Sequence, residues 1–144
     1  MDSQSKAPDF SLAGACAAAG SDIVLGLRDI AGSSELIAEI EALGRTVLPV
    51  QLELPNKEHI AGAVAGALKA FGRIDVLINN VGVSPGDLAE LVEESAVDET
   101  LDVNLKGTFL MTQAVARHMI ERKQGRIISI SSQAGTVTLR GEAI

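Results

Sequence analysis

The 144-residue sequence predicts an α/β fold, in which helices cover both faces of one parallel β-sheet and give three layers. Short apolar runs, each the length of one strand, alternate along the chain with segments whose apolar residues recur every three or four positions. Strands that alternate with helices in this way pair in parallel through right-handed crossovers. Strands are predicted at 23–25, 47–52, 74–79 and 127–130, and helices at 12–19, from 32–34 to Gly44, from Asn56 to Phe71, and at 96–122.

The first half of the chain is predicted to hold two helices and two strands. Residues 1–11 are polar and include a proline, so we expect a flexible arm there. The small residues of 12–19 favour a helix that ends at Gly20. The Gly-Ser-Ser stretch at 32–34 supplies N-cap residues for an amphipathic helix. Pro49 lies in the second strand, and because proline cannot donate to a ladder, we expect this strand near a sheet edge.

The second half of the chain centres on the strand at 74–79. Asn56 is predicted to cap the helix before this strand. The apolar run of the strand is nearly continuous, which is typical of a parallel strand covered on both faces. The helix at 96–122 begins with acidic and ends with basic residues, as the helix dipole favours. We expect a single domain, because 144 residues fit one domain and no linker or internal repeat interrupts the pattern.

Composition and charge exclude several classes of protein. The formal net charge is −7, so nucleic acid and anionic membrane surfaces are poor partners. The single Cys16 offers no disulfide framework, and the two histidines lack the spacing of metal ligands, so no metal is expected. The sequence has no signal-peptide pattern at its start and no apolar run near the ~18 residues of a membrane span. We therefore expect a cytoplasmic protein.

Polar residues follow three of the predicted strands, at the position where an open α/β sheet binds ligands. Asn79, Asn80 and Gly82 follow the strand at 74–79, Ser131 and Ser132 follow the last strand, and Arg28 follows the first. Taken singly, each group fits an ordinary turn as well as a ligand contact. Because the carboxyl ends of parallel strands meet at one edge of a sheet, their convergence favours a ligand-binding rim.

Asn104 is unusual because it falls in the middle of a predicted helix, where asparagine is a poor helix former. Gly107 lies three residues further on, so two weak positions are one turn apart. One interpretation is a surface asparagine beside a glycine required for packing. The other is a local kink, whose freed backbone groups bind water or orient a neighbouring segment.

Three stretches of the chain match one family in their order and spacing. They are Gly-Arg-Ile-Asp-Val-Leu-Ile-Asn-Asn-Val-Gly at 72–82, Leu-Asp-Val-Asn-Leu-Lys-Gly-Thr-Phe at 101–109 and Gly-Arg-Ile-Ile-Ser-Ile-Ser-Ser-Gln-Ala-Gly at 125–135. With these motifs, residues 23–135 closely resemble a short-chain dehydrogenase/reductase. The resemblance implies a Rossmann-like sheet and hydride transfer between the nicotinamide of NAD(P) and a small-molecule carbonyl or secondary alcohol.

The resemblance also implies roles for individual residues. Ser132 would be the catalytic serine that donates to the substrate oxygen, and Asn104 the catalytic asparagine that holds the water of a proton relay. The cofactor-binding positions would be Arg28, Leu52, Glu53, Asn79, Asn80, Val81 and Gly82, with Val81 where the family usually has alanine. Members of the family that prefer NAD carry an acidic residue at the position of Leu27, so Arg28 leans towards NADP. The helix at 96–122 would pair subunits into a homodimer or homotetramer.

Two departures from the family pattern affect the activity expected of the chain. The family begins with a strand and a glycine-rich turn that binds the pyrophosphate at a helix N-terminus. Here 10–14 resembles the family's lead-in and 16–26 the end of its first helix and its second strand, with no such turn between them.

The second departure concerns the proton donor. The family's proton-donating tyrosine would fall one residue after Ile144, and the sequence contains no tyrosine. We therefore expect an incomplete sheet that lacks the family's first and last strands, in a truncated or deleted form of an oxidoreductase. The alternative is an inactive remnant that pairs with a full-length homologue.

Overall fold

The computed structural model describes residues 10–84 and 89–132. It confirms an α/β architecture, since all four described strands lie in parallel pairs and alternate with helices. The chain divides into two compact units, Met1–Glu53 (unit 1) and Leu54–Ile144 (unit 2). Among the described strands, the pairs are β1 with β2 in unit 1 and β3 with β4 in unit 2.

Unit 1 is a helix, a strand, a second helix and a second strand. Its elements are α1 (Phe10–Ala18), β1 (Ile23–Leu27), a 3-10 turn (Ala31–Ser33), α2 (Ser34–Ala42) and β2 (Val47–Gln51). The two strands run in parallel from the pair Ile23 and Val47 to the pair Leu27 and Gln51. The core of the unit is formed by Ala17, Leu36 and Ile40, which are buried together.

Two details at the helix starts of unit 1 differ from the predictions. Helix α1 begins at Phe10, so the arm predicted over 1–11 includes two helical residues. The prediction that a serine side chain caps α2 is wrong, because the Ser33 hydroxyl donates to the Ile30 carbonyl at 2.7 Å. The Asp29 carboxylate instead accepts from the Ala31 backbone N–H at 2.9 Å, at the start of the 3-10 turn.

Unit 2 contains the remaining elements. They are α3 (Lys57–Phe71), β3 (Val76–Asn79), a 3-10 turn (Ala89–Leu91), α4 (Glu94–Thr100), a π-helical segment (Leu101–Gly107), α5 (Thr108–Arg122) and β4 (Arg126–Ser129). The predicted cap of α3 is confirmed, since Asn56 Oδ1 accepts from the His59 backbone N–H at 3.0 Å. The core consists of Leu77, Val115 and Met119, with Val64 and Met111 packed against it.

The two strands of unit 2 are less covered than the sequence predicts. Strand β3 was expected to be buried on both faces, but Leu77 is buried and the neighbouring Val76 is 50% exposed. Every residue of β4 is exposed. The reason is that the described helices α3 and α5 supply apolar partners to the face that carries Leu77. The expectation of cover on both faces is therefore wrong for the part of unit 2 that the structure describes.

The predicted helix at 96–122 is one continuous run from Glu94 to Arg122 with a π-helical segment inside it. Leu101, Gly107 and Thr108 all keep right-handed helical dihedrals, so the run does not break at either junction. The π-helical turn contains both weak positions, the exposed Asn104 and the buried Gly107. Single π-helical turns of this kind are frequent at functional sites.

Candidate active site

At the carboxyl end of the unit 1 sheet the structure brings together three of the predicted cofactor-binding residues. The Leu52 backbone N–H donates to the Leu27 carbonyl at 2.8 Å, which continues the ladder one residue beyond β2. The Gln51 side chain donates to the Arg28 carbonyl at 2.7 Å. These bonds hold Arg28 and Leu52 beside each other, with Glu53 next along the chain. Arg28 and Glu53 are exposed, so a ligand at this edge could reach their side chains.

In unit 2, the last residue of β3 is held by two hydroxyl groups. Asn79 is 9% exposed, and a buried side-chain amide requires hydrogen-bond partners. Its Nδ2 donates to Thr112 Oγ1 on α5 at 3.1 Å and to Ser129 Oγ on β4 at 3.4 Å. Asn79 therefore ties the end of its own strand to the neighbouring strand and to the helix that covers them.

The segment after β3, residues 80–83, is here called the β3 loop. Asn104 holds its far end through both polar atoms of its side chain. Oδ1 accepts from the Val83 backbone N–H and Nδ2 donates to the Val83 carbonyl, each at 2.8 Å. A Cβ atom on Gly82 would lie 3.5 Å from Asn104 Oδ1, so the asparagine also approaches the loop closely at that position. Asn104 thus orients the neighbouring segment through its side chain, whereas the kink hypothesis assigned that role to freed backbone groups.

Ser132 follows β4 at the same edge of the unit 2 sheet as the β3 loop. Asn79 pairs with Ser129 in the parallel register, and the Ile130 backbone N–H donates to the Asn79 carbonyl at 2.9 Å. Ser132 lies two residues beyond Ile130 and is exposed. Asn80, Val81 and Gly82 are exposed as well, so this edge presents the β3 loop and the serine segment to a ligand.

The nine predicted site residues thus form two sets, one in each unit. Arg28, Leu52 and Glu53 belong to unit 1, and the other six belong to unit 2. Sequence reasoning missed Thr112, which is the closest partner of the Asn79 amide. The available signal was its position eight residues after Asn104 on the same helical run, because such a spacing returns to about the same helix face.

Across 10–84 and 89–132, no group of three or more His, Cys, Asp or Glu side chains could hold a metal ion. Over the same residues, no helix combines the length and the apolar character needed to span a lipid bilayer.

Comparison with known proteins identifies the family. The short chain dehydrogenase model matches residues 10–144. The sequence is 41% identical over 115 residues to the (2S)-((R)-hydroxy(phenyl)methyl)succinyl-CoA dehydrogenase subunit BbsD of Thauera aromatica, covering 80% of this chain and 46% of the relative. It is 35% identical over 130 residues to a 3-oxoacyl-(acyl-carrier-protein) reductase of Synechocystis, covering 90% of this chain and 53% of the relative.

A solved structure agrees with this result. A metagenomic short-chain oxidoreductase in complex with NADP superposes with a TM-score of 0.82 at 34% sequence identity, covering 93% of this chain and 61% of that protein. The fold is therefore Rossmann-like, and the chain belongs to the short-chain dehydrogenase/reductase family of oxidoreductases. It spans about half the length of the two curated relatives.

Proposed function

We propose that the protein derives from an NAD(P)-dependent oxidoreductase that transfers hydride between the nicotinamide and a carbonyl or secondary alcohol. The observation that carries this proposal is the bonding of Asn104 to both backbone polar groups of Val83, at the edge where Ser132 follows β4. Family membership and the NADP complex of a related structure support it. The substrate is proposed only as a small molecule of the carbonyl or alcohol class.

The resemblance to the family supports the proposal that exposed residues in each unit contact the adenosine half of a dinucleotide. Arg28 would pair with a 2′-phosphate, because a guanidinium binds phosphate through two parallel hydrogen bonds. Glu53 would accept from the adenine, while Asn80, Val81 and Gly82 would contact the nucleoside through the β3 loop. NADP(H), when bound, supplies or accepts the hydride. Leu52 would form an apolar side of the adenine contact, since it is half-buried.

Two residues of unit 2 would act at the substrate. The Ser132 hydroxyl would donate to the substrate oxygen and stabilise the negative charge that develops there during reduction. Both polar atoms of the Asn104 side chain are bonded to Val83, so we propose that Asn104 holds a proton-relay water through its backbone carbonyl. Asn104 lies in a π-helical turn, and such turns are frequent at functional sites.

The preference for NADP over NAD rests on Arg28 and is weakened by the adjacent Asp29. Asp29 directly follows Arg28, and its carboxylate accepts from the Ala31 N–H at the start of the 3-10 turn. This carboxylate would repel a 2′-phosphate that approached the same backbone amide. We therefore propose NADP with a modest preference over NAD.

A chimera tests the proposed function. Residues 72–132 would replace the aligned segment of the Synechocystis reductase, and NADPH oxidation would be followed with a 3-oxoacyl thioester. We expect an active chimera, in which Ser132→Ala lowers kcat/KM by about 10²–10³ because one donor to the developing oxyanion is lost. Ser131→Ala is the matched control, since it removes the neighbouring hydroxyl. Equal effects of the two substitutions would contradict the role of Ser132.

A second candidate function is pairing with a full-length homologue, in which this chain is an inactive partner. The observation that favours it is an exposed apolar stripe on the continuous helical run, consisting of Leu101 at 53%, Leu105 at 67% and Phe109 at 61% exposure. We propose that this stripe pairs subunits, as a homodimer or homotetramer or with a homologue. The sequence contains neither a glycine-rich turn nor a tyrosine, so we propose that these 144 residues do not catalyse the reaction alone. We also propose that the protein is cytoplasmic.

A further inference from the structure

The β3 loop is held at both of its ends by side chains from other elements. At its start, Asn79 Nδ2 donates to Thr112 Oγ1 at 3.1 Å and to Ser129 Oγ at 3.4 Å. At its end, Asn104 bonds both the N–H and the carbonyl of Val83. The three residues between the two attachments, Asn80, Val81 and Gly82, are exposed, and the proposed function assigns them to the cofactor.

Both attachments of the β3 loop involve a side chain of the same helical run. Asn104 and Thr112 lie eight residues apart on the continuous helical run of α4, the π-helical segment and α5. A shift of this run relative to β3 would therefore move both ends of the loop together. Asn79 is the more deeply buried attachment, at 9% exposure, whereas Asn104 is exposed.

The chemistry of the Asn79 contact makes it selective for a hydroxyl at position 112. A primary amide nitrogen has two hydrogens to donate, and Thr112 and Ser129 accept one each. A valine at position 112 has the same shape but no hydroxyl, so the buried Asn79 Nδ2 would lose the shorter of its two hydrogen bonds. The Asn79 amide would then favour a different orientation. The bond to Ser129 alone, at 3.4 Å, is near the limit of a hydrogen bond.

We propose that Thr112, assisted by Ser129, is a positioning residue for the β3 loop: it fixes the Asn79 amide and thereby the direction in which residues 80–83 leave the sheet. Thr112 acts through Asn79 and touches no substrate. Its relevance to catalysis rests on the proposed function, in which the β3 loop contacts the cofactor. The positioning itself is a property of the unliganded chain.

The test is an NMR comparison of the complete 144-residue chain with its Thr112→Val and Thr112→Ser variants, without cofactor. We expect Thr112→Val to shift the Asn79 side-chain amide signals and the backbone signals of residues 80–83, and to speed exchange of the Val83 amide by about tenfold. Thr112→Ser keeps the hydroxyl and should restore the wild-type signals. Core amides such as Leu77 and Val115 should keep their exchange rates.

Two results would overturn the proposal. One is a Thr112→Val variant whose signals at 79–83 match the wild type. The other is equal acceleration at the loop and at the core amides, which would mean a general loss of stability. If Thr112→Val does not fold, Ser129→Ala should change the same signals at 79–83 by smaller amounts. A Ser129→Ala variant with unchanged signals at 79–83 would equally contradict the proposal.

A binding measurement separates this inference from the proposed function. The chimera with the Synechocystis reductase would carry the same Thr112 substitutions, and its NADPH affinity would be measured. If no chimera binds NADPH, the proposed function fails, while a local response of the loop in the isolated chain would still support the positioning role. If the chimera binds NADPH and Thr112→Val leaves both the loop signals and the affinity unchanged, the positioning role fails alone.

Discussion

The side chain of Asn104 and the backbone of Val83 form a closed pair of hydrogen bonds, each of 2.8 Å. One bond satisfies an N–H and the other a carbonyl of the same residue, so the asparagine takes the place that a neighbouring strand would have. The π-helical turn that carries Asn104 thereby fixes where the β3 loop ends. A helix and a loop that are distant in sequence are joined at the proposed site.

Asn104→Ala should release the β3 loop. Two exposed hydrogen bonds would be lost, at a cost of about 1 kcal/mol in the free energy of unfolding. Asn104→Asp is the informative control, because a carboxylate can still accept from the Val83 N–H but cannot donate to its carbonyl. Urea unfolding of both variants should give an intermediate stability for Asn104→Asp at neutral pH. An Asn104→Ala variant as stable as the wild type would show that the pair contributes nothing.

Phe109→Glu should weaken self-association of the chain. Phe109 is exposed on the apolar stripe, and a buried unpaired carboxylate in a subunit interface is strongly unfavourable. Sedimentation equilibrium would measure the effect as a shift towards the monomer. Leu43→Glu is the matched control, since Leu43 is another exposed apolar residue, at 48%, and belongs to unit 1. If the wild-type chain is already a monomer at high concentration, pairing of identical copies through the stripe is excluded.

Two glycine positions on helical segments should respond in opposite directions to alanine. A Cβ on Gly62 meets no atom within 4 Å, so Gly62→Ala should raise the free energy of unfolding by about 1 kcal/mol through helix propensity. A Cβ on Gly107 would lie 2.7 Å from the Leu54 Cβ and 3.3 Å from the Asp102 carbonyl, so Gly107→Ala should destabilise by about 1–3 kcal/mol. Thermal unfolding of the two variants measures both changes in the free energy of unfolding. If both substitutions stabilise, or both destabilise, the packing described at these two glycines is contradicted.

Acid should remove a contribution to stability that Asp75 makes before β3. Hydrogen bonding from the Arg122 guanidinium, at 2.9 Å, lowers the pKa of Asp75 from its ordinary value of 3.8, with a further bond from Arg73. Because the folded pKa is the lower one, the contribution is present above the unfolded pKa and is lost as pH falls through the folded pKa. Arg122 also donates to the Ile74 carbonyl, which ties the end of α5 to the start of β3.

Urea midpoints measured from about pH 5 to about pH 2 test this expectation. The wild type should lose stability over that range more steeply than Asp75→Asn. Arg122→Met should also make the urea midpoint depend less on pH. When Asp75→Asn is added to Arg122→Met, this pH dependence should change little further. If the urea midpoint falls equally steeply with pH in the wild type and in Asp75→Asn, the role of this carboxylate is contradicted.

The fold class and most elements could be predicted from the sequence because their signals are local. The cap at Asn56 and the helix end at Gly72, with φ of 73°, depend on a few neighbouring residues. The exposure of Val76 could not be predicted, because it depends on which segments cover the second face of the sheet. The apolar pattern of the strand is the same whether or not that cover exists.

The hydrogen bonds of the predicted site residues could not be predicted from the sequence. Asn104 stood out as a poor helix former, yet its partner Val83 belongs to a loop 21 positions earlier in the chain. The spacing of Thr112 from Asn104 was its one signal, because threonine in a helix is common and the role of Thr112 depends on Asn79, which is 33 positions away. Such long-range pairs follow from packing, which periodicity does not encode.

We propose that this chain keeps the cofactor-binding residues at its sheet edges, while its sequence lacks the glycine-rich turn that binds the pyrophosphate in the family. Losing three phosphate hydrogen bonds would weaken binding by more than about a thousandfold. Calorimetric titration of the complete 144-residue chain with NADPH tests this most directly. We predict a Kd weaker than about 1 mM. A micromolar Kd would contradict this proposal.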